Sequence, residues 1–436
     1  METKFKQTEI GIIPEDWEVK PLDEVSEIID CLHSKKPPKA KEGYIYLEVF
    51  NLIPETASIN MNNLEYVSGK DYLYWTKRAV PEEGDLVITN TGIAATAIIP
   101  KNFNCCIGRN MTLIQSKPSL ILPDFFRFYS LSNLFKREVQ RLSLSGTILE
   151  SLHVEFIGKI KIAVPSIEEQ RKIVDCISPV FGKVKTNEGM NKTLEAIGQA
   201  IFKHWFVDFE FQNEEDKPYK SSGGEMVFNE ALVKEIPKGW RVSKIGDELK
   251  TVLGGTPSTT KKSYWERGTI GWINSGKINE FRITEPTAYI TEEAVNNSAT
   301  KLLPKGTAVL AITGATLGQV SRIEIGTCAN QSVIGIIESK TISSEYIYFW
   351  IKYTIGEIIR NQTGGAQQHI NKNNVDNSTI LIPSEKVIEE YQRIIKPIFD
   401  KISLACFESL TLSQLRDLLL PKLMSGKIRV PLENEK

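Results

Sequence analysis

The chain has 436 residues, with 53 Lys and Arg against 54 Asp and Glu for a formal net charge of −1, and 41% of its residues are hydrophobic. A balance this close to zero excludes a sequence-blind cationic binder that relies on a global field. The composition is that of a soluble globular protein, and at roughly 100 to 200 residues per domain the length accommodates about two to four domains.

The N-terminus carries Glu2, Lys4, Lys6 and Glu9 where a signal peptide needs an apolar core, and no uninterrupted apolar run of roughly 18 residues occurs anywhere. A cytoplasmic protein that makes no membrane contact is expected. Its six cysteines, Cys31, Cys105, Cys106, Cys176, Cys328 and Cys406, contain no CxxC pair and are expected to stay reduced. The four histidines, His33, His153, His204 and His369, form no HxH or HExxH motif, so a zinc ribbon or zincin is excluded by spacing and no metal site is expected.

Residues 1–165 are punctuated by Gly, Pro and Asn, with short runs such as Asp85-Leu86-Val87-Ile88-Thr89 and Ala97-Ile98-Ile99, which predict strands with a few helices. Trp17 and Phe128 are expected in the core of this first domain. From Ser166 the apolar residues Ile173, Ile177, Val180 and Val184, then Leu194, Ile197 and Ile201, recur at threes and fours. They predict a long helical spacer over 166–208, with Ser166 as N-cap and Glu169 completing a capping box. Pro179 falls inside that pattern and is expected to kink or interrupt it. Residues 209–224 are polar and turn-rich and read as a linker. Residues 225–383 then form a second mixed domain, with Thr307-Ala308-Val309-Leu310-Ala311-Ile312-Thr313 as a strand and Trp240 and Phe349 in its core. Residues 384–425 form a second helical spacer, expected to kink or be interrupted at Pro397, and 426–436 a tail.

The halves are copies of one another. Ile13-Pro14-Glu15-Asp16-Trp17-Glu18-Val19 recurs as Ile236-Pro237-Lys238-Gly239-Trp240-Arg241-Val242, placing Trp240 223 positions after Trp17. Gly306 follows Gly84 by 222 positions, Phe349 follows Phe128 by 221 and Pro383 follows Pro165 by 218, and two units of 218 fill 436 residues. Helices too narrow to be stable alone are expected to bury their stripes against each other. The fold class is therefore α+β: two mixed α/β domains separated by two long antiparallel coiled-coil helices, in a pseudo-two-fold internal repeat.

Catalytic signatures are weak. Gly271-Trp272-Ile273-Asn274-Ser275-Gly276-Lys277-Ile278 fits a phosphate-binding P-loop except that Ile278 replaces the magnesium-holding hydroxyl. Glu15, Asp16, Glu18 and Lys20 imitate the acids of a nuclease, yet a two-metal site needs its carboxylates on separate strands. Several clusters do suit nucleic acid. Lys35, Lys36, Lys39 and Lys41 form a basic, proline-stiffened loop, and Thr256, Ser258, Lys261, Lys262 and Tyr264 occupy the equivalent place in the second copy, where lysines and hydroxyls can contact phosphates. Asn90 and Thr91 match Thr313, Arg109 and Asn110 match Asn330 and Gln331, and Thr147 matches the stretch of Gln367, Gln368 and His369. Asn274 and Lys277 complete the candidate set. Arg, Asn and Gln can bond two atoms of one base edge, so different identities at matching places suit two domains reading two sequences.

Taken in order, these motifs resemble the specificity subunit of a type I restriction-modification enzyme. The Ile-Pro-x-x-Trp-x-Val openings, Val164-Pro165-Ser166-Ile167-Glu168-Glu169-Gln170, Phe202-Lys203-His204-Trp205-Phe206 and Leu415-Arg416-Asp417-Leu418-Leu419-Leu420-Pro421 carry the resemblance over nearly the whole chain. The distal Ser384-Glu385-Lys386-Val387-Ile388-Glu389-Glu390-Tyr391-Gln392 departs from the usual Pro-x-x-x-Glu-Gln helix start. The resemblance implies that the mixed domains are target-recognition domains, each reading half of a split, asymmetric site in double-stranded DNA. It also implies helices that fix the gap and dock two methyltransferase subunits bringing S-adenosylmethionine. Restriction subunits would add ATP- and Mg-dependent translocation and cleavage. No cofactor and no catalysis are then expected of this chain itself. A coiled-coil scaffold that reads no DNA, or a self-sufficient nuclease, are the alternatives.

Overall fold

The structure is a computed structural model that describes residues 4–91, 94–143, 151–360 and 369–431. It divides into two units, residues 1–184 with 411–436 and residues 185–410, and the division falls within both long helices.

In the first unit a four-stranded antiparallel sheet runs in the order Thr96–Ile98, Leu86–Thr89, Met111–Ser116, Ser26–Asp30. Leu86, Val87, Ile88 and Thr89 are all buried, as a strand covered on both faces requires. A smaller sheet pairs Cys105–Ile107 in parallel with Tyr44–Leu47, which is antiparallel to Glu65–Val67. Glu18–Pro21 lies antiparallel to Lys161–Val164, so a strand near the start of the domain is the hydrogen-bonded neighbour of its last strand. The helix Asn133–Leu142 starts where Ser132 accepts the Phe135 N–H at 3.3 Å.

The second unit repeats this plan. Its antiparallel sheet runs Val320–Arg322, Ala308–Ala311, Val333–Ile337, Lys250–Leu253, strand for strand the order of the first. Ile270–Ile273 pairs in parallel with Thr327–Ala329 and antiparallel with Ala288–Ile290, and Arg241–Lys244 closes on Thr379–Ile382. Gly84 and Gly306 open equivalent strands at φ +91° and +90°. The left-handed turn there suits glycine in both copies. Trp17, Trp240, Phe128 and Phe349 are buried, as the sequence predicts.

The central helix spans Ile167–Phe206 and the distal helix Glu385–Met424, each of 40 residues. Neither is interrupted at its proline, so of the expected kink or interruption the interruption does not occur in either helix. Pro179 and Pro397 both face solvent, where water can satisfy the carbonyl that proline frees. Ser166 does cap the central helix, accepting the Glu169 N–H at 3.2 Å, while the Glu169 carboxylate is engaged elsewhere. In the first unit Ile173, Ile177 and Phe181 join Leu420, Leu423 and Met424 in one core. In the second the Asn187 amide donates to the Ala405 carbonyl (3.4 Å), Glu408 (2.8 Å) and Ser409 (3.2 Å), and Trp205 packs on Tyr391, so the helices run antiparallel there.

The buried stripe of the C-terminal half differs from the predicted one. Ile197 is exposed, and the inward positions are Asn187, Asn191, Glu195, Gly198, Phe202 and Trp205. Polar residues occupy the seam because each finds a partner: Asn191 donates to Cys406 Sγ, and Glu195 accepts from Arg282, Tyr348 and Lys352.

Candidate nucleic-acid interface

One end of each recognition domain is a rim of loops tied together by backbone hydrogen bonds. In the second domain Gly254 N–H donates to Val333, Gly255 to Ala329, Asn330 to Ile273, Ile312 to Ser332 and Ile370 to Ile312, over 2.8–3.1 Å. This brings Thr256, Ser258, Asn274, Thr313, Asn330, Gln331 and the segment bearing His369 to one edge. In the first domain Gly108 donates to Leu47, Asn90 to Asn110 and Leu152 to Asn90, over 2.8–2.9 Å, and Thr91 bridges to Ser151. Leu152 to Asn90 and Ile370 to Ile312 are equivalent bonds, as are Asn90 to Asn110 and Ile312 to Ser332. The scaffold of the rim is thus repeated while the side chains it presents are not.

Those side chains fall into distinct groups. Arg109 and Asn110 are exposed, Asn110 at φ +62°, and Asn90 is half-buried, accepting from the Thr112 hydroxyl at 2.9 Å. The left-handed turn at Asn110 is one that Asn tolerates well. Thr256 donates to the Gln331 side-chain oxygen at 2.5 Å, and Ser258 lies 2.9 Å from the Thr260 hydroxyl. Asn330 accepts the Ser332 N–H at 3.1 Å, and Asn274 caps a short 3-10 helix through the Lys277 N–H at 3.2 Å. Thr313 is half-buried and His369 exposed. Thr147, Gln367 and Gln368 lie outside the described residues.

Tyr264 is buried, so its ring packs beneath the loop in a cluster with Ile290, Ala294 and Cys328 and does not face outward. Lys277 is likewise enclosed, at 15% exposure, and pairs with Glu280 at 2.8 Å. That pairing and the buried Ile278 leave the P-loop resemblance without the free lysine that phosphate binding needs. The nuclease-like acids are also engaged: Asp16 holds Arg429 at 2.7 Å and Glu18 holds Lys20 at 2.7 Å.

Among the basic loops, Lys36 sits 2.8 Å from both Glu48 and Glu65, Lys39 also pairs with Glu65, and Lys261 lies 2.6 Å from Glu293. Lys36 and Lys39 hold the Glu65 carboxyl below the usual carboxylate range. Lys35, Lys41 and Lys262 are exposed. Sequence reasoning did not single out Glu48, Glu65, Glu293 or Arg78. Arg78 donates to the Cys31 carbonyl at 2.7 Å and pairs with Asp30 at 3.1 Å. These partners are far away in sequence, and only the tertiary fold brings them to the loops.

A possible metal-ligand grouping, Asp30, Cys31 and His33, has its ligand atoms within 4.8 Å of one another. Asp30 is already held by Arg78 and by His33 at 2.9 Å, and burial pushes the Cys31 thiol up, away from the thiolate a metal needs. The three residues make a hydrogen-bonded corner beside the rim. No helix among the described residues is long and apolar enough to cross a membrane.

Two copies of one domain on paired helices each offer a rim of varied polar side chains, giving the protein two related but unlike polar surfaces. Residues 14–196 and 237–414 each match the family model of the type I restriction modification DNA specificity domain, and the chain belongs to that family. It is similar to the type I restriction enzyme MjaIX specificity subunit of Methanocaldococcus jannaschii, at 28% identity over 98% of this chain and 97% of the relative. The HindI specificity subunit of Haemophilus influenzae is 25% identical over 87% of this chain and 95% of its own length. The fold is that of the solved S subunit of a type I restriction-modification system from M. genitalium, with a TM-score of 0.61 at 16% identity over 97% of this chain and 99% of that one. The chain is a specificity subunit, the non-catalytic component of such an enzyme.

Proposed function

We propose that each recognition domain reads one half of a bipartite, asymmetric site in double-stranded DNA in the cytoplasm, through its rim. The repetition of the rim's backbone bonds with different side chains at matching positions carries this reading. Asn90, Thr91, Arg109 and Asn110 would serve one half-site and Thr256, Ser258, Asn274, Thr313, Asn330, Gln331 and His369 the other, with Lys35, Lys41 and Lys262 on phosphates. The helices would set the unread gap and dock two methyltransferase subunits carrying S-adenosylmethionine, with restriction subunits supplying the ATP- and Mg-dependent step. The test is long-read sequencing of N6-methyladenine in a methylation-free host expressing this chain with its neighbouring methyltransferase. A split motif of two short halves around a fixed gap, lost without this chain, is expected. A soluble complex with no motif would favour a scaffold that reads no DNA.

A further inference from the structure

We propose that Glu65 and Glu293 are specificity-determining residues that compete with DNA phosphates for the lysines of the two basic loops. This rests on the reading that those loops touch DNA. In the first domain, Glu65 holds both Lys36 and Lys39, and Glu48 holds Lys36 from the other side. In the second, Glu293 holds Lys261, whose ammonium also lies 4.1 Å over the Tyr264 ring.

The arrangement recurs at related places in the repeat. Glu65 lies on Glu65–Val67, the antiparallel neighbour of Tyr44–Leu47. Glu293 lies in the short helix Glu292–Asn296, directly after Ala288–Ile290, which is the antiparallel neighbour of the counterpart strand Ile270–Ile273. Two loops with unrelated sequences thus each set a lysine against a carboxylate, one from the edge strand of the smaller sheet and one from the helix that follows the counterpart strand.

A carboxylate and a phosphodiester both carry one negative charge and offer two acceptor oxygens. Exchanging one for the other on a lysine therefore conserves charge and hydrogen bonds, and pairs whose lysine stands in solvent, as Lys39 and Lys261 do, are weak enough to open. The exchange succeeds where the duplex backbone comes up against the lysine while the rim engages its bases. Duplex arriving elsewhere meets Lys35, Lys41 and Lys262 but not the masked lysines, on a chain with no net positive field. The acids thereby suppress sequence-blind binding more than binding at the site.

The test uses the full chain, alone and with its methyltransferase subunit, on duplexes with and without the site across a range of salt. Glu65→Gln and Glu293→Gln keep the shape and remove the charge. Non-site binding should tighten by about 3-fold or more at low salt, its log–log salt slope should steepen by roughly 0.9 per lysine freed, and the ratio of site to non-site affinity should fall. Lys36→Gln and Lys261→Gln should weaken binding to the duplex that carries the site more than binding to the one without it. Glu293 is the more exposed acid and serves where Glu65→Gln disturbs its sheet. If the acid variants leave non-site affinity and slope unchanged while the lysine variants weaken binding, the masking is overturned. If the lysine variants also change nothing, the reading that these loops contact DNA falls with it.

Discussion

Trp17 donates its indole N–H to the Glu169 carboxylate at 2.9 Å, tying the first turn of the central helix to the start of the domain that precedes it. Arg429 adds two charged bonds to the same carboxylate, at 2.7 and 3.0 Å, and Glu169 is only 1% exposed. Glu169→Ala leaves the buried indole N–H without its acceptor, while Arg429 keeps its two bonds to Asp16, at a cost on the order of 1 to 3 kcal/mol. Glu169→Gln, which keeps one acceptor oxygen, should cost less. Denaturant unfolding measures both, and an alanine variant as stable as the parent would show that the triad carries no stability.

Acid should weaken the second unit through Glu195. Burial alone would raise its pKa, but the charges of Arg282 and Lys352, with hydrogen bonds from Lys352 and Tyr348, outweigh burial and hold it below the usual carboxylate range. A depressed folded pKa means that the stabilisation is complete above the unfolded value of 4.5 and is lost as pH falls through the folded value. Melting temperature should therefore drop more steeply below about pH 4.5 in the parent than in Glu195→Gln, even if the variant starts lower. Parallel curves for the two proteins would remove Glu195 from the acid transition.

Asn187 is buried and its side-chain oxygen has no hydrogen-bond partner, whereas its amide group has three. Asn187→Ala opens a cavity and deserts those acceptors, costing about 1 to 3 kcal/mol. Asn187→Leu fills the space but leaves the same acceptors without their donor, so it should recover only part of that loss. Chemical unfolding distinguishes the two, and a leucine variant as damaged as the alanine one would make the amide bonds themselves decisive.

Substitutions on one rim should change one half-site only. Thr256→Ala with Gln331→Ala removes the 2.5 Å pair on the second domain and should alter or abolish the half-site it reads, leaving the other half and the gap intact. Asn110→Ala should do the converse. Methylation sequencing of the variants reads the outcome, and a change in both half-sites from either variant would contradict independent reading.

Much of the architecture was legible because it depends on local patterning. The repeated Ile-Pro-x-x-Trp openings, the β-branched runs and the long three-four periodicity each follow from residues close in sequence. The polar seam at Asn187, Asn191 and Glu195 was not, since each residue is admitted only by a partner remote in sequence, such as Arg282 or Cys406. Both solvent-facing prolines misled for a related reason: proline disfavours a helix interior on average, and its cost depends on which side faces water. At the rim, the polar residues could be listed from sequence, but the burial of Tyr264 and the acids holding Lys36 and Lys261 could not, because they arise from strand pairing.

The strands Glu18–Pro21 and Lys161–Val164 put the entrance and exit of the first recognition domain side by side, as Arg241–Lys244 and Thr379–Ile382 do for the second. Everything between such a pair is a closed excursion from a common doorway, whose inner face, in the first domain, packs on the helix that follows through Leu120 and Leu122 on Gln170 and Phe128 on Phe181. An exchange of one excursion for another would therefore have to keep that inner face and is free to vary the loops of the rim in sequence and length. If each rim reads a half-site as proposed, such an exchange would give the protein a new DNA target because two short strands meet where the chain enters and leaves the domain.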